Sequence, residues 1–209
     1  VMVAGDPSLW SNLFLDDLLP KILDLVFMAW SDFAQPDRSD GEVPITRRFR
    51  EHLIRHKNMG RLPFSIWSES EETDPNTGAV IGRIDLRFLH GYREDVYFAF
   101  ECKRLNGVRK EDRSSLARLY VLEGMMRFVD GKYAKGLDKG GMLGYVMDGD
   151  TKSALEAVST ACDKNVQKLC MHPGLTEWSN TSVSGVVWES IHNLTRRKLL
   201  LYHIFLPVS

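Results

Sequence analysis

Two apolar runs, Val80 to Leu89 and Val96 to Leu105, flank the polar stretch Gly91 to Asp95 and carry charge at alternate positions. Side chains in a strand alternate between faces, so this spacing predicts a β-hairpin. On the first strand Ile84, Leu86 and Phe88 share one side and Arg83, Asp85 and Arg87 the other. On the second, Val96, Phe98, Phe100 and Cys102 share a side, and Tyr97, Ala99, Glu101 and Lys103 oppose them. A turn centred on residue 93 is the midpoint of 85 and 101, so antiparallel pairing sets Asp85 across from Glu101. Directly opposed residues have Cβ atoms roughly 4.5–5.5 Å apart, and like charges at that separation repel.

Two resolutions are available. A divalent cation can bridge the carboxylates, or a proton or the Lys103 ammonium can neutralise one of them. Mg²⁺ takes one or two protein carboxylates and completes its sphere with water and phosphate oxygens. Such an ion activates water and offsets charge on a phosphoryl oxygen, and Lys103 on the same face is placed to position water or stabilise developing charge. Strands buried among Phe100 and Leu105 have little structural reason to carry Asp, Glu and Lys.

The remaining pattern supplies the setting. Apolar residues at helical spacing from Ser8 to Phe33 (Ile22, Val26, Ala29, Phe33, with Leu18, Leu19 and Leu25 alongside) predict a helix that Pro20 breaks or restarts. Gln35 to Gly41 reads as a linker. A second helix is expected from near Pro44 through Ile45, Phe49, Leu53 and His56 to Gly60. Pro63 to Glu69 alternates as a strand, and Asp74 to Gly78 is turn chemistry. After the hairpin come a helix capped by Ser114, a strand at Met142 to Met147, a helix capped by Asp150, and strands at Val183 to Trp188 and Leu199 to Leu206.

Gly82-Arg83-Ile84-Asp85-Leu86 followed by Phe100-Glu101-Cys102-Lys103-Arg104-Leu105 resembles the split Asp…Glu-x-Lys signature of the PD-(D/E)XK nuclease superfamily. Ile84 stands where the namesake proline would be. The resemblance covers roughly half of the chain and implies an α/β, restriction-endonuclease-like αβββαβ core with a mixed sheet flanked by helices. It implies residues 42–209 as the nuclease-like domain, with 1–41 as a helical extension and a C-terminal helix and strands appended. It further implies metal ligation by Asp85, Glu101 and the Cys102 backbone carbonyl, with Lys103 catalytic. Glu42 is the candidate for an additional acidic ligand on the first core helix, with Glu51 behind it.

The expected cofactor is Mg²⁺, for which Mn²⁺ substitutes, and the expected substrate is nucleic acid, DNA before RNA. The reaction implied is in-line hydrolysis of a phosphodiester leaving a 5′-phosphate, in defence or DNA processing. The alternative is a non-catalytic nucleic-acid- or protein-binding module that keeps the fold. A homodimer or a partner subunit stays open.

Lys plus Arg number 27 against 28 Asp plus Glu. With that balance, phosphate contacts must come from local patches. Arg104, Arg109, Lys110 and Arg113, which follow the proposed site, are the candidates, ahead of the basic stretch Arg47 to Arg61. His52 and His56 have a helical zinc spacing but lack the Glu of a metalloprotease, and are read as a half-exposed helix face. Tyr120 and Glu123 are possible neighbours of the site, with core packing the default for Tyr120. Gly131 to Gly141 is no phosphate-binding loop, since no Gly-Lys-Ser/Thr opens a helix there.

The three cysteines, Cys102, Cys162 and Cys170, lie in apolar runs and are expected as buried, reduced thiols of a cytoplasmic protein. The apolar runs fall short of the roughly 20 residues that span a bilayer, so no membrane is expected as a partner.

Overall fold

A computed structural model describes residues 7–73, 76–90, 96–107, 110–133, 137–179, 187–195 and 197–208, with side chains for these except 7–17 and 110–114. The chain folds as a mixed α/β protein around one seven-stranded sheet with helices against both faces. In chain order the elements are α1 (Pro7–Ser31), α2 (Glu42–Met59), β1 (Ser65–Thr73), β2 (Val80–Leu89) and β3 (Tyr97–Leu105). There follow α3 (Lys110–Leu119), a π-helical turn (Tyr120–Met125) and α4 (Met126–Val129). The chain ends with β4 (Lys139–Val146), α5 (Thr151–Asp163), α6 (Val166–Leu169), β5 (Thr176–Glu177), β6 (Val187–Leu194) and β7 (Arg197–Pro207).

The strand order is β1-β2-β3-β4-β7-β6-β5. β3, β4 and β7 run parallel, and antiparallel pairs flank them on both sides. Parallel neighbours need a crossover, which α3 through α4 provides between β3 and β4, and the central strand β4 is buried on both faces. Close helix and ring packing explains its glycines. A Cβ on Gly141 would fall 2.3 Å from two ring carbons of Phe100, its own ladder partner.

One apolar cluster lies between the sheet and α1 with α2, including Ile22, Val26, Trp30, Phe49, Phe88, Phe98, Phe100 and Tyr145. The other lies beneath α3, the π turn and α5, with Tyr120, Phe128, Tyr133, Met142, Val158 and Leu201. Trp30 stacks on Tyr145 with ring centroids 5.5 Å apart, and its Nε1 donates to Pro207 O at 2.8 Å. This packing lets α1 run unbroken through Pro20, against the expected break. Burying Leu18, Leu19, Ile22 and Leu23 outweighs the roughly 3 kcal/mol that an interior proline costs a helix.

Asp150 caps α5 as expected, its side chain accepting from Ser153 N at 3.0 Å. Two further expectations are corrected. Residues 139–141 of the expected Gly131 to Gly141 loop belong to β4, and residues 134–136 lie outside the described residues. Cys102 and Cys162 are buried, but Cys170 is exposed, in the left-handed conformation that ends α6. Of the strand expected from Val183, residues 187 and 188 lie in β6, and 183–186 fall outside the described residues.

Candidate active site at the splayed strands

The β2–β3 ladder pairs Leu86 with Phe100, Arg87 with Ala99, Phe88 with Phe98 and Leu89 with Tyr97. This register centres on residue 93 and leads Asp85 toward Glu101 one step beyond the last described pair. There β2 stays with β1, pairing Ile84 with Ser70 and Arg83 with Glu71. The expected face of Ile84 is corrected at this point. Ile84 packs under α3 and the π turn, while Leu86 and Phe88 pack toward α1 and α2, so alternation breaks at Asp85. Across from Asp85 on β1, Glu69 has φ +52°, a left-handed conformation uncommon for glutamate, and an ion pair to Arg47 at 2.9 Å holds it.

The splay leaves backbone groups of β3 without a strand partner on the β2 side, and carboxylates take their place. Cys102 N donates to Asp85 Oδ2 at 2.7 Å, and Arg104 N donates to Glu42 Oε2 at 3.1 Å. In an antiparallel strand a residue's N–H and C=O point the same way, so Cys102 O faces the same gap. Lys103 Nζ fills it, donating to Glu101 Oε1 at 2.5 Å, Cys102 O at 3.0 Å and Glu42 Oε1 at 3.1 Å. Glu42, the first residue of α2, therefore reaches the β3 residues from the opposite face of the sheet.

Sequence spacing did not reveal two further members. Arg127 Nη1 lies 3.1 Å from both Glu101 oxygens and also donates to Tyr133 Oη. Tyr133 Oη in turn donates to Arg83 O, and a Cβ on Gly82 would meet the Tyr133 ring at 2.6 Å. Tyr133 thus packs into the opening that β2 leaves. Arg127 follows the π turn, whose Gly124 brings the helix backbone against Glu101 and Lys103; a Cβ there would lie 3.6 Å from Cγ of each. Apolar periodicity across residues 110–129 carries no signal for a π insertion, which advances the register of everything after it.

Glu101 has no exposed side-chain surface, and burial, followed by the nearby Asp85 charge, pushes its carboxyl up to about 8. Burial also raises Asp85, against the lowering effect of its bond from Cys102 N. Burial disfavours the Lys103 ammonium, but Glu101, Glu42 and Asp85 outweigh it and raise its proton affinity. With all three carboxylates ionised, Glu42, Asp85 and Glu101 against Lys103 and Arg127 leave one unit of negative charge, and the proton that burial favours on Glu101 at neutral pH brings the sum to zero. A crevice lined by Glu42, Thr46, Arg47, Ser68, Glu69 and Asp85 opens beside the cluster.

Asp85, Glu101, Lys103, the Cys102 carbonyl and Glu42 therefore come together. Glu51 does not join them among the described contacts and pairs with Arg50. Arg104 contributes its N–H to the cluster while its guanidinium donates to Arg38 O at 3.1 Å. Lys110 and Arg113 lie on α3, and Arg109 lies outside the described residues. Tyr120 is a core residue bonded to His203 at 3.0 Å, and Glu123 is exposed. Among the described residues no helix is long and apolar enough to cross a membrane. Comparisons with protein-family models, with curated proteins and with solved structures match nothing to this chain.

Proposed function

We propose that this chain is a Mg²⁺-dependent nuclease of the PD-(D/E)XK type, hydrolysing phosphodiester bonds with Asp85, Glu101 and Lys103 as its working residues. The observation that carries the reading is the Lys103 ammonium seated among Glu101 Oε1, Cys102 O and Glu42 Oε1 at 2.5–3.1 Å. Three oxygens converge there on a positive charge, with Asp85 beside them. The order α2-β1-β2-β3-α3-β4 supports an αβββαβ core.

The donor set suits a hard divalent ion: carboxylate and main-chain oxygens only, with one unit of net negative charge once Glu101 gives up its proton. Asp85, Glu101, the Cys102 carbonyl and Glu42 would hold it. When bound, the ion supplies an activated water and neutralises charge on a phosphoryl oxygen. Lys103, moved off those oxygens, keeps its ammonium next to the reacting phosphate and stabilises charge developing there. Arg127 and Tyr133 fix the orientation of Glu101 from behind. Arg104, near the end of β3, and Arg109, Lys110 and Arg113, which come next in the sequence, are assigned to the phosphate backbone of a nucleic acid, DNA first.

Purified protein incubated with duplex DNA, single-stranded DNA and RNA tests this. Product formation with Mg²⁺ or Mn²⁺, abolished by EDTA and by Lys103→Ala, is expected; undiminished cleavage by Lys103→Ala sinks the assignment.

A second reading has one observation in its favour. Lys103 and Arg127 already engage both Glu101 oxygens, as a purely structural ion-pair network would. The chain would then be a non-catalytic nucleic-acid- or protein-binding module, marked by EDTA-insensitive binding without products.

A further inference from the structure

We propose that His52, His56 and Asp32 form a second metal site, for Zn²⁺ or a similar borderline divalent ion, that clasps the end of α1 to α2. His52 and His56 stand one helical turn apart on the same face of α2. Asp32 is the first residue after α1, brought to that face by the packing of the two helices. His52 Nε2 lies 2.8 Å and His56 Nε2 3.0 Å from Asp32 Oδ1. All three candidate ligand atoms fall within 4.8 Å of one another. Tetrahedral zinc with bonds of about 2.0–2.1 Å needs neighbouring ligand atoms roughly 3.3 Å apart.

The imidazoles are already held. Their side chains are only 13% and 16% exposed, while Asp32 is 59% exposed and leaves the fourth position open to water. Phe33 packs against the His52 ring with centroids 5.6 Å apart. The carboxylate sits at the C-terminal end of a 25-residue helix, where the helix dipole disfavours negative charge and favours a cation. His-His-Asp is a nitrogen-rich donor set that selects zinc over magnesium, which separates this site chemically from the carboxylate cluster at Glu101.

One contact opposes loading. Arg55 Nη2 donates to His52 Nδ1 at 2.8 Å, which leaves the ring proton on Nε2, aimed at Asp32. Metal binding needs that lone pair, so the proton moves to Nδ1 and the exposed Arg55 side chain turns away.

Metal-stripped protein titrated with Zn²⁺ and with Co²⁺ tests the site. One equivalent of Zn²⁺ is expected to bind and raise the thermal midpoint, with Co²⁺ giving the visible absorption of a tetrahedral centre. His52→Ala, His56→Ala and Asp32→Asn should each lose that equivalent and the absorption. Circular dichroism of the variants, and the milder His56→Gln, check that they fold. Glu101→Gln should keep both signals. Absence of Zn²⁺ binding at micromolar concentration overturns the proposal, as does binding that survives in His52→Ala but disappears in Glu101→Gln.

Discussion

Lys103 Nζ lies 2.5 Å from Glu101 Oε1, so the ammonium and carboxylate two residues apart on β3 form a contact pair inside the protein. Their exposures differ: 12% for the Lys103 side chain and none for Glu101. Removing the cation therefore strands a desolvated acid, while removing the acid's charge does not strand the cation, which keeps Glu42 and solvent.

That asymmetry predicts opposite stability effects at the two positions. Lys103→Met should destabilise the metal-free protein by about 1–3 kcal/mol, because Glu101 and the Cys102 carbonyl lose a charged hydrogen-bond donor while Glu101 can hold a proton. Glu101→Gln should be neutral or stabilising in EDTA, since burial already favours the uncharged form at neutral pH. Both should lower cleavage by at least about a hundredfold. Urea denaturation in EDTA and DNA cleavage in Mg²⁺ read the two effects separately; a Glu101→Gln protein that cleaves normally contradicts the metal-ligand role.

Arg127→Gln separates competition from catalysis. The guanidinium touches both Glu101 oxygens at 3.1 Å and opposes any divalent cation there. Its loss should tighten the apparent Mg²⁺ affinity, on the order of severalfold after solvent screening. Cleavage rates measured across a Mg²⁺ titration check this, and an unchanged half-saturation point counts against the placement of Arg127.

Gly141→Ala tests the packing that supports the site. The new Cβ would fall 2.3 Å from two carbons of Phe100, a fully buried ring, so one of the two must shift. The expected loss is about 1–3 kcal/mol, seen as a lower thermal midpoint. A midpoint equal to that of the unchanged protein would refute the close approach of Gly141 to Phe100.

Acid sensitivity should arise away from the site. His192 Nδ1 donates to Leu169 O at 2.8 Å, so its Nε2 accepts from Ser190 Oγ at 2.8 Å. Ser190 then accepts from His203 Nε2 at 2.8 Å, and Tyr120 donates to His203 Nδ1 at 3.0 Å. The chain needs both rings neutral. Burial, then the neighbouring His192, lowers His203 to about 3, and burial lowers His192. The unfolded chain takes up protons near pH 6.5 and the folded one does not, so stability is full above about 6.5 and falls as pH drops toward 3. Thermal midpoints from pH 7.5 to 4 should decline, and less steeply in His203→Phe; equal slopes in the two proteins would refute the network's role.

The hairpin was readable from residues alone because a period of two, a polar turn and apolar flanks are local properties. Asp85, Glu101 and Lys103 stood out for the same reason: charge within apolar strand runs has few structural uses. The α1 and α2 helices, the Asp150 cap and the buried strand β4 follow from equally local rules. Other features had no local signature. Pro20 stays inside α1 only because its neighbours bury against α2 and the sheet. The face switch at Ile84 needs β2 to follow β1 away from β3, and Glu42 reaches Arg104 N and Lys103 only because α2 crosses that gap. Arg127 and Tyr133 enter through a π turn that moves the helical register, and Asp32 meets His52 and His56 through helix packing. Spacing along a chain specifies which side chains can share a face; which faces then meet depends on long-range burial, and no short window of residues encodes it.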